Sequence, residues 1–203
     1  LQRASLGRML AQGGTKLPNS SHEPHSTPVA IVGGGPVGLV LALLLDLHGV
    51  RSVVFNAESD VRFHPKASTH NARTMEHYRR LGIAASVRGL GLPPDHPTDV
   101  VYMTRFAGHE LARLRMPTSA EKLAKVAGSA KTDQIPEPIH RANQMFVERA
   151  LFAHVRARPN VALRFGWQVT EITQDADGVS LRAVGVATGR SQTWRASYAA
   201  GCD

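Results

Sequence analysis

Val29-Ala30-Ile31-Val32-Gly33-Gly34-Gly35-Pro36-Val37-Gly38 is the stretch on which the reading of this chain turns. A short β-branched run ending abruptly in three glycines is the pattern of a strand buried on both faces. From Pro36 to Gly49 the residues Leu39, Leu41, Leu43, Leu44, Leu45 and Leu47 predict a helix that is apolar on most sides, with Gly49 as its stop. Ser52-Val53-Val54-Phe55 then reads as a second buried strand. Strand, glycine turn, helix and strand in close succession make a βαβ unit with a right-handed crossover.

Gly33, Gly35 and Gly38 match G-x-G-x-x-G, with Pro36 and Val37 filling the last gap. Each glycine has a physical task in such a turn. Gly33 permits the tight exit from the strand, Gly35 lets a pyrophosphate approach the backbone without meeting a Cβ, and Gly38 lets the helix pack close to the strand. The helix N-terminus adds unpaired N–H groups and the positive end of its dipole. Six residues alone are a weak signal, but the strand before and the helix and strand after supply the confirming context. The turn is therefore read as a dinucleotide site. The acidic residue that should follow the second strand and bind ribose hydroxyls is replaced by Asn56, and Glu58 lies two positions later. An amide oxygen accepts a hydrogen bond without the charge assistance of a carboxylate, and either residue is a candidate for the ribose.

The composition is compatible with this reading and excludes others. The chain has 203 residues, 42% of them apolar and 20% charged, which suits a globular core rather than a disordered protein. The apolar stretch Val37–Leu45 is far short of the roughly 20 residues a membrane-spanning helix needs. Cys202 is the single cysteine, which excludes an internal disulfide framework and makes a reducing, cytoplasmic setting the expectation. Lysine and arginine exceed acids by 24 to 16, but the arginines are scattered and lack interleaved aromatics, so no nucleic-acid partner is expected. Residues 1–27 read as a flexible basic tail, with Leu6, Met9 and Leu10 leaving an organelle-targeting segment as the weaker alternative. Order is expected to begin at Val29.

Downstream, Asn71–Leu81 and Ile83–Arg88 predict helices separated by Gly82. Val100–Met103 and Leu111–Leu114 predict a hairpin around Gly108, and Ser119–Ser129 a short helix or a loop. Asn143–Arg158 predicts an amphipathic helix whose apolar face is made by Met145, Phe146, Ala150, Leu151 and Val155. Val161–Phe165, Val169–Gln174, Val179–Val184 and Trp194–Ala199 predict strands, the middle pair joined at Asp175–Gly178. His70 and His77 would share a helix face at best, so no metal site is expected. No Gly-x-Ser-x-Gly elbow occurs, and Cys202 reads as a buried strand thiol.

Several spaced segments, in order, carry a resemblance. Val29–Phe55, His64-Pro65-Lys66-Ala67, Arg73-Thr74-Met75-Glu76, Arg80-Leu81-Gly82, Gln144 with Val147-Glu148 and Leu151, and Tyr198–Asp203 together resemble the aromatic-ring hydroxylases. These are flavoprotein monooxygenases such as phenol and para-hydroxybenzoate hydroxylases. The resemblance implies an α/β fold: a parallel, Rossmann-type FAD-binding sheet over residues 28–203, with about 98–135 belonging to a β-rich substrate-side region. It implies FAD as cofactor, NAD(P)H as co-substrate and a small phenol-like aromatic substrate; a homo-oligomer is left open. It implies Gly33, Gly35, Pro36, Val37, Gly38, Asn56, Lys66, Gln144 and Asp203 as cofactor-binding residues, with no catalytic acid or base assigned. Arg141 and Arg149, flanking Gln144, are read either as facing flavin phosphates or as solvated charges.

The sequence departs from that family in three places. Asn56 stands for the usual Glu, and Lys66 stands for the usual Arg, keeping the charge but losing the bidentate fork. Asp203 would begin an Asp-Gly motif whose Gly does not follow, so the chain reads as an N-terminal fragment. Two other functions stay open: a different FAD- or NAD(P)-dependent oxidoreductase, and a non-catalytic nucleotide-binding remnant.

Overall fold

The computed structural model describes residues 25–61, 63–129 and 135–203. In chain order the elements are β1 (His25–Val32), α1 (Pro36–Leu47), β2 (Ser52–Asn56), β3 (Thr69–His70), α2 (Ala72–Arg80), α3 (Ala84–Arg88), β4 (Val100–Met103), β5 (Glu110–Leu114), α4 (Ser119–Gly128), β6 (His140–Arg141), α5 (Gln144–Arg156), β7 (Val161–Phe165), β8 (Trp167–Asp175), β9 (Gly178–Gly185) and β10 (Ser191–Gly201). Among these residues no helix is long and apolar enough to cross a membrane.

One six-stranded sheet, ordered β7-β2-β1-β10-β9-β8, organises the molecule. β7, β2, β1 and β10 run parallel, as the βαβ reading requires. The sheet is nevertheless mixed, because β9 and β8 add to β10 as an antiparallel meander. Short turns cause this: Asp175–Gly178 leaves no length for the crossover a parallel pair needs. Gly178 takes a positive φ there, and Arg195 of β10 grips the Asp175 carboxylate with both guanidinium arms.

Alternation in the central strands feeds two cores. Ile31 and Val54 face α1 and α5 and pack with Leu39, Leu43, Met75, Tyr78, Val147, Leu151 and Val155. Ala30, Val53 and Phe55 face the other way and meet Leu181, Ala183, Trp194 and Ala196 of the meander. The rings of Phe55 and Trp194 meet edge to face at 5.3 Å. At the far end of α1, Asn160 donates to Asp46 (3.0 Å) and fixes the entry to β7.

Several expectations change in detail. β1 begins at His25, not Val29: His25–Thr27 already pair with Trp194–Ala196. Pro28 is tolerated because pairing with β2 starts only at Val29, so β1 has a neighbour on one side there. The targeting reading of Leu6, Met9 and Leu10 falls outside the described residues. On α5, Met145 is half-buried and Phe146 is exposed, and Val147 is buried in their place. Phe146 instead meets the ring of Phe63 at 6.2 Å.

His70 is not helical. It pairs with His140 in a two-residue antiparallel bridge between β3 and β6, which the sequence did not announce. Cys202 lies just beyond the end of β10, half-buried, with its N–H donating to the Val32 carbonyl (2.7 Å). The segment 119–129, open between helix and loop, is helical as α4, with a capping box between Thr118 and Glu121. The β4–β5 hairpin forms as expected and stands outside the main sheet.

Candidate functional site

An open cleft of about 520 Å³ lies at the carboxyl ends of β1 and β2, where ligands bind in open α/β sheets. Gly33, Gly35, Pro36, Val37, Asn56, Lys66, Gln144 and Asp203 all line it. Gly38 does not line the cleft, because it is buried behind the turn.

The glycines differ in what a side chain would meet. At Gly33, where φ is +116°, a Cβ would lie 2.5 Å from the Asp203 backbone nitrogen. At Gly38 it would lie 2.0 Å from the Gly33 carbonyl oxygen, so close packing of helix on turn demands glycine. At Gly35 a Cβ would meet no protein atom within 4 Å. Gly35 is thus required neither by strain nor by packing, and the space it leaves belongs to the cleft. Pro36 has no N–H, so Val37 and Gly38 present the unpaired donors of the first turn of α1.

Asn56 completes the turn. Its Oδ1 accepts from the Gly34 N–H (3.3 Å) and its Nδ2 donates to the Glu58 carbonyl (3.4 Å). Glu58 also lines the cleft.

The opposite wall comes from the loop after β2 and the start of α5. Gln144 N–H donates to the Ala67 carbonyl (2.8 Å), and Ala67 N–H donates to Gln144 Oε1 (3.3 Å). This reciprocal pair holds Lys66, one residue away, on the cleft. The β3–β6 bridge backs it: Ala142 N–H donates to the Ser68 carbonyl (2.9 Å), and the ring of His70 lies 3.2 Å from the Ala142 carbonyl. Within the bridge His140 is 4% exposed. Burial first, then the nearby Arg88 cation, pull its pKa down to about 4, so it stays neutral. Burial also lowers the pKa of His70 and pushes Tyr78 up to about 12.

Arg141 and Arg149 do not line the cleft. Arg141 is exposed on β6, and the Arg149 guanidinium stacks 4.3 Å from the centre of the Phe63 ring. Lining residues the sequence reading did not assign to the site include Glu148, Trp167, Gln168 and Cys202. Glu148 was within reach of that reading, since it stands four residues after Gln144 on one helix face. Burial, then the neighbouring Asp203, raises the pKa of Cys202. Among the described residues no three His, Cys, Asp or Glu side chains gather as metal ligands would.

A glycine turn between a buried strand and an apolar helix, opening on a cleft at the strand ends, defines a dinucleotide-binding α/β protein. More particularly, the chain belongs to the family described as FAD binding domain, whose sequence profile matches residues 26–203. It is 31% identical over 188 residues to the FAD-dependent monooxygenase apdD of Emericella nidulans, covering 92% of this chain and 30% of that protein. It is 30% identical over 192 residues to the phenol 2-monooxygenase of a Pseudomonas species, covering 93% and 30%. Among solved structures, the flavin-dependent monooxygenase PieE in complex with FAD and substrate superposes with a TM-score of 0.75 at 32% identity, covering 86% of this chain and 29% of that one. The chain thus spans under a third of the length of these relatives.

Proposed function

We propose that this chain is the FAD-binding part of an aromatic-ring hydroxylase. The observation that carries the reading is the pocket of space in front of Gly35, faced by the first turn of α1 on one side and by Lys66 and Gln144 on the other. These residues fit the adenosine-pyrophosphate part of FAD. The Gly33–Gly38 turn would take the diphosphate on backbone N–H groups, and Lys66 would add a point charge. Asn56 or Glu58 would hold the ribose. Gln144 would contact the cofactor from the facing wall, and Asp203 would close the floor beside Gly33. Bound FAD would supply the redox chemistry that couples NAD(P)H and O₂ to hydroxylation of a phenol-like ring. The protein's share is binding, orientation and exclusion of water. The β4–β5 hairpin and α4, within about 98–135, are assigned to the substrate side.

Titration of the chain with FAD and with ADP tests this reading. Saturable binding of both, with ADP displacing FAD, is expected, and binding of neither would overturn it. With NAD(P)H and a panel of phenols, these 203 residues should give at most hydrogen peroxide, because the relatives use more than three times this length. Stoichiometric hydroxylated product would contradict that division of labour.

A further inference from the structure

We propose that Glu148 is a positioning residue: it fixes the orientation of the Gln144 amide and, through it, the loop that carries Lys66. The inference rests on the cleft being the cofactor site. Glu148 is 8% exposed and lies on α5 between the core residues Val147 and Leu151, with an edge on the cleft. Its Oε1 accepts from Gln144 Nε2 at 2.5 Å. The same amide accepts the Ala67 N–H through Oε1.

These two partners leave the amide no choice. A backbone N–H only donates and an ionised carboxylate only accepts, so turning the Gln144 amide over would break both bonds at once. Glu148 takes one Nε2 hydrogen, and the second is left to the cleft. Removing the acceptor at 148 frees the amide to rotate and releases Ala67 N–H, which is adjacent to Lys66.

The charge of Glu148 cannot be the reason for its place. A buried carboxylate beside a diphosphate site opposes the ligand's own charge and costs free energy to desolvate. Geometry and charge therefore predict opposite outcomes for substitution. Glu148→Gln keeps an acceptor oxygen and loses the charge, whereas Glu148→Leu loses both.

Two readouts on the parent chain and both variants separate the possibilities: ADP affinity by calorimetry, and hydrogen exchange at the Ala67 amide without ligand. Glu148→Leu should bind ADP about five- to tenfold more weakly and exchange Ala67 about tenfold faster, as for the loss of one ordinary hydrogen bond, that from Ala67 N–H to Gln144. Glu148→Gln should keep the parent exchange rate and bind ADP as well as the parent or up to about threefold tighter. Unfolding midpoints should stay close to the parent's, which separates a local release from global loosening. Equal tightening in both variants would mean that only the charge matters and would overturn the proposal. Unchanged Ala67 exchange in Glu148→Leu would overturn it as well. If no chain binds ADP or FAD while Ala67 exchange responds as stated, the positioning relay stands and the cofactor reading fails.

Discussion

The two walls of the cleft are built on different principles. The β1–α1 wall is backbone: its shape follows from Gly33 and Gly38, where a Cβ would strike main-chain atoms. The wall opposite is held by hydrogen bonds between residues far apart in sequence, Ala67 with Gln144 and Ser68 with Ala142. The first wall is intolerant of substitution at Gly33 and Gly38, though not at Gly35, and the second can be loosened without unfolding the sheet. A cofactor that spanned both would be gripped by one and adjusted by the other.

Breaking the backbone wall should have the largest effect. Gly38→Ala drives a methyl group to 2.0 Å from the Gly33 carbonyl oxygen and 3.2 Å from Ile31 Cγ2, so the turn or α1 must shift to admit it. Destabilisation at or above about 3 kcal/mol is expected, the upper range for overpacking. Urea unfolding would measure it, and a loss under about 1 kcal/mol would show that the turn is more pliable than its geometry implies.

Acid should attack the other wall first. His140 has a pKa of about 4 in the folded chain, below the ordinary 6.5, so the unfolded chain binds its proton first as pH falls. The contribution is complete above about pH 6.5 and is lost progressively toward pH 4, amounting to roughly 3 kcal/mol at most. His70 shifts in the same direction and adds to the trend. Thermal unfolding from pH 7 to 4 should fall steeply for the parent and less steeply for His140→Gln. Parallel curves would remove His140 from the account.

The smallest effect belongs to the residue between the walls. Asn56→Glu keeps an acceptor near the Gly34 N–H and adds a charge suited to ribose hydroxyls. A charge-assisted bond is worth about 1.5–3 kcal/mol, so ADP binding should tighten roughly tenfold by calorimetry. Weaker binding, with Glu58→Gln harmful instead, would move the ribose contact to Glu58.

The same contrast explains what the sequence disclosed. The backbone wall is local: β-branched run, glycines and leucine-rich helix lie within Val29–Phe55, and the structure forms them as β1, α1 and β2. Strand existence in β7 to β10 was legible from β-branched runs and the Asp175–Gly178 turn. Strand order was not, because β10 reaches β1 across more than 160 residues of chain. The β3–β6 bridge is two residues on each side, too short for any periodicity to show. Helical spacing put Phe146 on the inner face of α5, but Phe63 offers it a surface contact and Val147 fills the core. Gln144 and Lys66 came from the family resemblance, and the clasp between Gln144 and Ala67, the neighbour of Lys66, came only from the structure.

Calorimetric titration of ADP into the parent chain and into Gly35→Val tests the central claim most directly. Gly35 has φ −77° and ψ −174°, open to any residue, and no protein atom stands within 4 Å of its Cβ position. Gly35→Val should therefore fold with the parent's unfolding midpoint and give no binding heat under conditions that saturate the parent, because its side chain occupies the phosphate space. A folded Gly35→Val chain that binds ADP with the parent's affinity would show that this turn is not the pyrophosphate site.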